Sequence, residues 1–244
     1  MAGYCDFAAV YDLLTQNVPY DEIAAYYDNI LQGLGAGRLL LDMGCGTGNL
    51  TIRLAGMGYD VIASDASVEM LSAAQAKPQE GVRWICQSMT ETELYGAAEA
   101  AVSTLDSINH LASTEEMGMC FERLAQNMEK GGIFAFDVNT IYKHREILAD
   151  NTFIYDVDGA YCAWQNSFNP NDGSVDIELD LFIENKDGSY SRGFESFREI
   201  AAGEAEIRAL LERAGFKTEL VYDYLTYDPP RADSEKLLFA ARKM

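Results

Sequence analysis

The sequence predicts an α/β fold: a mostly parallel seven-stranded sheet with a terminal antiparallel strand pair and an antiparallel β insertion. Three observations support this. Between residues 38 and 139, short apolar runs alternate with amphipathic stretches, the pattern of repeated strand–helix–strand units. Between residues 153 and 198, apolar and polar residues alternate singly, as in antiparallel strands with one solvated face. Residues 203–244 contain two further strands joined without a helix, which predicts antiparallel pairing.

Five parallel strands are predicted for the first part of the chain. Each is a short, mainly apolar run, as expected for strands that are buried on both faces. Their ranges are 38–43, 60–64, 82–86, 98–105 and 132–138. The helices between them are predicted at 49–58, 67–76 and 114–130. Thr114, followed by acidic residues, is the predicted cap of the third helix.

The insertion is predicted from one strand in particular. Its apolar residues alternate with acidic ones and are Val175, Ile177, Leu179, Leu181 and Ile183. Turn-forming residues at 169–173 and 186–188 bracket this strand. After the insertion, a helix is predicted at 203–214, ended by Gly215, and strands at 216–224 and 236–242.

The chain therefore divides into three parts. Residues 1–37 form an N-terminal helical segment, residues 38–150 and 199–244 form the α/β domain, and residues 151–198 form the insertion. At 244 residues, the chain is long enough to bury a central sheet without disulfides or metals.

The charge of the chain restricts its partners. Thirty-nine acidic and eighteen basic residues give a formal net charge of −21, which repels nucleic-acid phosphates and anionic lipids. We therefore expect no nucleic-acid partner and no membrane association. No apolar run is long enough to span a bilayer, and residues 1–14 do not resemble a signal peptide.

Cysteine and histidine usage indicates a reducing compartment and no metal site. The five cysteines are odd in number, widely spaced and free of CxxC pairs; they are Cys5, Cys45, Cys86, Cys120 and Cys162. Reduced thiols, and hence a cytoplasmic location, are the expectation. With only two histidines in the chain, we also expect no metal ion.

A glycine-rich turn is the most specific motif. In LLLDMGCGTGN, Gly44, Gly46 and Gly48 follow a buried strand and precede a helix. Glycines allow close approach of the backbone to a ligand, and the helix N-terminus favours an anionic group. Gly48 lies one residue too early for the dinucleotide fingerprint GxGxxG, whose last position here is Asn49.

An acidic residue at the end of the second strand complements this turn. Asp65 lies twenty-one residues after Gly44, where a carboxylate can bridge two ribose hydroxyls. Charge-assisted hydrogen bonds of this kind contribute roughly 1.5–3 kcal/mol each. The alternative for an isolated Asp after a strand is the cap of the next helix.

These motifs resemble the class I S-adenosylmethionine-dependent methyltransferases, which have a Rossmann-like domain. The resemblance rests on LLLDMGCGTGN, Asp65 and the terminal GFKTELVYDY…EKLLFAARK, and it extends over most of the chain. It implies S-adenosylmethionine as the cofactor, with the glycine turn at its amino-acid end and Asp65 at the ribose. Residues after the third strand would flank the adenine; Ser88 stands there where many relatives have Asp. The implied cofactor-binding residues in these segments are Asp42, Gly44, Cys45, Gly46, Thr47, Gly48, Asp65, Ala66, Met70, Ser88 and Met89.

A looser resemblance is to the glycine and sarcosine N-methyltransferases. It rests on Tyr11-Asp12 with Tyr20 nine residues later, and on DSINHL at 106–111. It implies that residues 1–37 cover the cofactor and that the segment after the fourth strand faces the transferred methyl group. Tyr11, Tyr20 and Leu105 would then contact the cofactor. The catalytic candidates are His110, Asp106 and Tyr11.

Less specific interpretations of these side chains stay open. Tyr11 and Tyr20 are also compatible with ordinary packing of an N-terminal helix, and His110 with a helix cap. Trp164 fits the core of the insertion as well as an acceptor cage.

The functional prediction is a methyltransferase acting on a nitrogen or oxygen of a small-molecule acceptor by in-line transfer. An NAD-dependent oxidoreductase is one alternative, disfavoured by the missing third fingerprint glycine. A non-catalytic S-adenosylmethionine-binding module is another, disfavoured by the intact glycine turn. We expect residues 7–20 and 153–198 to cover the acceptor pocket, with a homodimer interface as the alternative role of the insertion.

Overall fold

The computed structural model describes residues 4–78 and 80–244. The N-terminal segment consists of two helices, α1 (Tyr4–Leu14) and α2 (Tyr20–Gly33). Helix α2 begins after Pro19 with two acidic residues in its first turn, which suits the positive end of the helix dipole. Its buried side is rich in aliphatic and aromatic residues that pack on the central sheet.

The central sheet has the predicted architecture. Its seven strands are β1 (Leu39–Met43), β2 (Asp60–Asp65), β3 (Val82–Cys86), β4 (Ala98–Ser103), β5 (Met128–Asn139), β10 (Phe216–Asp223) and β11 (Lys236–Lys243). They are ordered β10-β11-β5-β4-β1-β2-β3, and only β11 runs antiparallel to its neighbours. The mostly parallel sheet and its terminal antiparallel pair are therefore confirmed.

The helices that flank the sheet are α3 (Asn49–Gly56), α4 (Val68–Gln75), α5 (Thr114–Gln126) and α6 (Glu204–Arg213). Two predicted details of α5 are wrong. Its cap is Ser113, whose hydroxyl accepts a hydrogen bond from the backbone N–H of Glu116, at 3.2 Å. The helix also ends at Gln126 rather than residue 130. The Asn127 side chain donates to the carbonyls of Arg123 and Thr92, both at 2.9 Å, and β5 then begins at Met128.

The insertion is a separate four-stranded antiparallel sheet, as predicted. It consists of β6 (Thr152–Val157), β7 (Ala160–Phe168), β8 (Val175–Glu184) and β9 (Tyr190–Glu199), paired in that order. Along β8, Ile177 and Leu179 are buried whereas Glu178 between them is exposed. The buried face, called here the inner face, packs against apolar residues of α1 that include Phe7 and Val10.

The parallel topology gathers many connecting segments at one edge of the central sheet. The carboxyl ends of β1 to β5 meet there, and Lys236, the first residue of β11, lies opposite Asn139 at the end of β5. The turn at 107–110 follows β4, and a π-helical turn at 143–148 follows β5 and leads into the insertion. In the part of the chain that is described, no helix is long and apolar enough to cross a bilayer.

Candidate active site

The three glycines of the turn after β1 have different roles. All have positive φ, at +73° for Gly44, +55° for Gly46 and +76° for Gly48. A Cβ on Gly44 would overlap the side chains of Met89 and Ser107, and a Cβ on Gly48 would overlap Trp84. A Cβ on Gly46 would meet no atom within 4 Å. Gly44 and Gly48 therefore permit close packing, whereas Gly46 borders open space that a ligand can enter.

The Asp65 carboxylate fixes the shape of this turn. Its Oδ2 accepts a hydrogen bond from the backbone N–H of Gly46 at 2.8 Å, and its Oδ1 accepts one from Ser67 N–H at 2.8 Å. Ser67, not Asp65, is the cap of α4, since its hydroxyl accepts from Met70 N–H at 3.1 Å. A carboxylate has about four acceptor positions, so two remain for ribose hydroxyls while the turn stays ordered.

Two predicted cofactor residues next to the turn are held inside the protein. Asp42 is buried at the end of β1, where its Oδ2 accepts from the Thr51 hydroxyl of α3 at 2.6 Å. Burial raises the pKa of Asp42 to about 6. Burial, together with the charges of Asp42 and Asp65, also raises the pKa of Cys45, which keeps it a neutral thiol. A contact of either residue with the cofactor stays a prediction.

The other predicted cofactor residues are distributed around the same edge. Ala66 is exposed after β2, whereas Met70 is buried in α4. Met89 packs beside Gly44. The Ser88 hydroxyl caps the short turn that follows, accepting from Thr90 N–H at 3.3 Å. Thr47 is buried and donates its hydroxyl hydrogen to Asp12 of α1.

Helix α1 is attached to the glycine turn through Asp12. The carboxylate of Asp12 accepts from the Thr47 hydroxyl at 2.6 Å and from the Asn49 amide at 2.8 Å. The Lys77 ammonium lies 2.7 Å from its second oxygen and also donates to the Thr47 carbonyl at 2.7 Å. Lys77 was missed by sequence reasoning because it is sixty-five positions from Asp12 and belongs to no motif. This attachment places α1 over the turn.

The side chains of Tyr11 in α1 and Tyr20 at the start of α2 lie close together. The Tyr20 hydroxyl donates to that of Thr15 at 3.1 Å. The pKa of Tyr11 is raised, first by burial and then by the proximity of Tyr20 and Asp106. Tyr11 is therefore a neutral phenol that lies close to the segment after β4.

Asp106 is the most strongly constrained of the three catalytic candidates. Its Oδ2 accepts from the Asn139 amide at 2.9 Å and lies 3.3 Å from the Lys236 ammonium. Burial favours the neutral acid, but Lys236, Lys143 and His110 outweigh it and lower the pKa well below its usual value. Asp106 is thus ionised at neutral pH.

A second carboxylate, which is not among the predicted site residues, binds the backbone of the segment after β4. Asp137 of β5 is fully buried and accepts the backbone N–H groups of Leu105 and Asp106, each at 2.8 Å. Both residues have positive φ, at 54° and 57°, a strained conformation for non-glycine residues. Asp137 also accepts from the Tyr27 hydroxyl at 2.7 Å and lies 3.1 Å from Lys236. These bonds hold Leu105 and Asp106 in place.

His110 is exposed at the end of the turn at 107–110. Its ring centroid lies 4.9 Å from that of Phe197 on β9. It does not cap α5, since Ser113 does. His110 therefore lies where the insertion meets the segment after β4.

A buried polar cluster joins the insertion to Asp106. The Asn139 amide donates both to Asp106 Oδ2 and to Glu199 Oε2 of β9, at 2.9 and 2.8 Å. Glu199 Oε2 lies 3.4 Å from Nε2 of the fully buried His144, whose Nδ1 is 2.9 Å from the Gly173 carbonyl. Sequence reasoning missed this cluster because its members come from β5, the π-helical turn and the insertion.

This chain is similar to known methyltransferases. A family model described as "Methyltransferase domain" matches residues 40–132. A protein of Geobacillus sp. (strain WCH70) that is named as a methyltransferase is 32% identical over 98% of this chain and 99% of its own length.

Two solved structures share the fold across nearly the whole chain. An S-adenosylmethionine-dependent methyltransferase from Clostridium acetobutylicum ATCC 824 has a TM-score of 0.86 and 26% identity, covering 98% of each chain. The sugar N-methyltransferase KedS8 from Streptoalloteichus sp ATCC 53650 has a TM-score of 0.77 and 18% identity, covering 96% of this chain and 93% of its own.

The fold and the glycine turn thus define an enzyme with a Rossmann-like methyltransferase domain. By its similarity over the full length of a relative, the chain belongs to the class I S-adenosylmethionine-dependent methyltransferases.

The residues of this chain fit the cofactor of that family. The open space at Gly46 and the free acceptor positions of Asp65 suit an amino-acid group and a ribose. Neutral and anionic oxygens from Tyr11 and Asp106 lie near each other on the side where α1 covers the turn, an environment suited to a sulfonium. Within residues 4–78 and 80–244, no three His, Cys, Asp or Glu side chains are grouped to bind a metal ion.

Proposed function

We propose that this enzyme transfers the methyl group of S-adenosylmethionine to a nitrogen or oxygen of a small-molecule acceptor. The observation that carries the proposal is the convergence of the glycine turn, Asp65 and the catalytic candidates at one sheet edge. That edge is covered by α1, which contacts both the turn and the insertion. KedS8, which shares the fold, is a sugar N-methyltransferase, and this supports a small acceptor.

The cover over this edge favours a small acceptor rather than a polymer. Strand β9 contacts the segment after β4 through Phe197. Ile200, directly after β9, donates its backbone N–H to the Asn109 carbonyl at 2.8 Å and accepts from the Asn109 side-chain amide at 2.7 Å. A lid packed this closely excludes water from a small pocket. The acidic charge of the chain argues against a nucleic-acid acceptor. A homodimer formed through the insertion stays a prediction.

The protein's main task in this reaction is alignment. Bound S-adenosylmethionine supplies an electrophilic methyl group, and orientation of the acceptor lone pair toward it can contribute roughly 7–11 kcal/mol. Asp106 is ionised and paired, so it stabilises positive charge rather than accepting a proton. Tyr11 is a neutral hydrogen-bonding phenol. His110 is left as the candidate base for the acceptor proton.

The first test is ligand selectivity. We expect S-adenosylmethionine and S-adenosylhomocysteine to bind in the micromolar range and NAD not to bind, because the turn lacks the third fingerprint glycine. Isothermal titration calorimetry measures all three. Preference for NAD would contradict the proposal. Transfer of a radiolabelled methyl group to a panel of metabolites then distinguishes an enzyme from a non-catalytic binding module.

Replacement of His110 tests the candidate base. We expect His110→Ala to lower turnover by roughly 10²-fold or more if His110 accepts the proton, with unchanged affinity for S-adenosylhomocysteine. Turnover equal to that of the wild type between about pH 6 and 9 would exclude His110 as the base. Phe197→Leu, which keeps the imidazole, is the control for packing.

A further inference from the structure

Glu195 on the inner face of β9 has no role in the site described above. Its exposed fraction is only 5%. Its Oε2 is buried and has no hydrogen-bond partner among the described residues of the chain. Burial raises the pKa of this carboxyl group, against a smaller opposite effect of the Ser196 N–H. A buried oxygen without a partner is costly and calls for an explanation.

The position of Glu195 connects it to the proposed acceptor pocket. Successive side chains of a strand point to opposite faces of the sheet. The inner face of β9 therefore carries, in order, Glu199, Phe197 and Glu195. Glu199 is bonded through Asn139 to Asp106, and Phe197 lies against His110. At 3.2–3.4 Å per residue, Glu195 lies about 7 Å beyond Phe197 along the strand.

The surroundings of Glu195 are apolar. It lies opposite Leu179 of β8, which in turn lies opposite Trp164 of β7. Leu179 is 1% exposed, and the Trp164 ring is partly buried with its N–H already bonded to Asn166 at 2.7 Å. These neighbours offer no donor to Oε2, and no other described residue supplies one.

We propose that Glu195 is an acceptor-binding residue, which receives an amino or hydroxyl group of the acceptor that is distinct from the methylated atom. This inference rests on the proposed function, since it assigns the acceptor of the same site. A carboxylate in apolar surroundings forms strong hydrogen bonds to donors and strongest to an ammonium group. The enzyme would thus select acceptors that carry a second polar group about 7 Å from the position of Phe197, measured along β9.

The first experiment needs no acceptor. We expect Glu195→Gln and Glu195→Leu to raise the melting temperature of the acceptor-free protein by roughly 2–4 °C, because each removes the buried unpaired charge. Glu178→Gln, on the exposed face of the same sheet, is the matched control and should change nothing. A higher melting temperature in Glu195→Gln is sufficient to support the proposal, because the leucine variant also alters packing. A lower melting temperature in Glu195→Gln would mean that the carboxylate is satisfied within the protein, which overturns the proposal.

The second experiment measures binding of simple probes by saturation-transfer NMR with S-adenosylhomocysteine present. Glucosamine, glucose and cyclohexylamine separate amino from hydroxyl donors. We expect at least one probe to bind the wild type and to lose roughly tenfold or more in affinity in Glu195→Leu. An amino contact is lost in Glu195→Gln as well, whereas a hydroxyl contact is largely kept. Equal signals in wild type and Glu195→Leu, including no signal in either, overturn the assignment.

Calorimetry with S-adenosylhomocysteine on the same variants separates this inference from the proposed function. We expect unchanged cofactor affinity in both Glu195 variants, because Glu195 lies on the insertion and not on the glycine turn. Absence of binding to the wild type would contradict the proposed function. In that case the melting temperatures, and probe binding without the cofactor, still test Glu195.

Discussion

Replacing Gly46 by valine is expected to abolish cofactor binding while the protein stays folded. Gly46 has φ +55°, which costs an L-residue roughly 1–2 kcal/mol, and no atom lies within 4 Å of its Cβ position. The valine side chain would therefore occupy the open space that the proposed cofactor enters, without a clash inside the protein. We expect affinity for S-adenosylhomocysteine to fall on the order of 100-fold or more, equivalent to about 2.8 kcal/mol. Calorimetry measures this loss, and circular dichroism checks the fold.

Gly58→Val is the matched control for Gly46→Val. Gly58 also has positive φ, at +92°, and open space around its Cβ position, but it lies before β2 at the opposite edge of the sheet. Both variants should therefore lose similar stability from backbone strain, while only Gly46→Val loses the ligand. Equal loss of binding in both would show that strain, and not occupation of the ligand space, is responsible. Unchanged binding in Gly46→Val would place the cofactor elsewhere.

The fold was predictable because its signals are local. The β1–glycine turn–α3 unit is contained within residues 38–58, and single alternation along β8 marks the insertion without knowledge of its partners. The errors lie at the ends of elements. The cap of α5 and the early start of β5 depend on Ser113 and Asn127, short polar side chains whose hydrogen bonds become visible only in three dimensions.

The site was predictable only where a motif carries it. Asp65 and the glycine turn have a characteristic spacing, because ligands of open α/β sheets bind across adjacent strand ends. Lys77, Asp137 and Glu199 have no such spacing, since each supports a residue that is distant in the chain. In the sequence, these residues are indistinguishable from ordinary surface charges in a chain with a net charge of −21. Burial distinguishes Asp137 and Glu199, and the ion pair with Asp12 distinguishes Lys77.

The ion cluster around Lys236 is expected to show the largest effect on stability. The Lys236 ammonium lies 3.3 Å from Asp106 and 3.1 Å from the fully buried Asp137. Burial lowers the pKa of Lys236, but these two carboxylates outweigh burial and raise it. Lys236→Met would leave the fully buried Asp137 and the partly buried Asp106 without their shared cation. We expect a loss of roughly 3–5 kcal/mol in the free energy of unfolding at neutral pH, measured by urea denaturation.

A surface pair provides the control for Lys236→Met. Lys217 lies 3.4 Å from Glu219, and its side chain is 63% exposed. Exposed pairs contribute roughly 0–1 kcal/mol, so Lys217→Met should change stability little. Asp106→Asn in the Lys236→Met background should recover part of the loss, because it removes one of the uncompensated charges. A loss in Lys236→Met no larger than in Lys217→Met would contradict the assignment of Lys236 as the shared cation.

The pH dependence of Lys236→Met separates lost charge pairing from lost packing. In the wild type, the folded pKa of Asp106 is below its unfolded value, so its stabilisation is present above about pH 3.9 and is lost as the pH falls further. Without Lys236, we expect the pKa of Asp106 to rise above its unfolded value, because the ammonium that lies 3.3 Å from its carboxylate is lost. The penalty of this uncompensated charge is then present at high pH and is relieved as Asp106 is protonated. The stability difference between wild type and variant should therefore narrow from about pH 8 to about pH 5.

Lys143→Met is the control for this pH dependence. Lys143 and His110 also face Asp106, but Lys236 remains in this variant, so we expect the stability difference from the wild type to change less with pH. A difference that is constant with pH would assign the effect of Lys236→Met to packing of its aliphatic chain against Tyr224, whose ring centroid lies 5.0 Å from the ammonium.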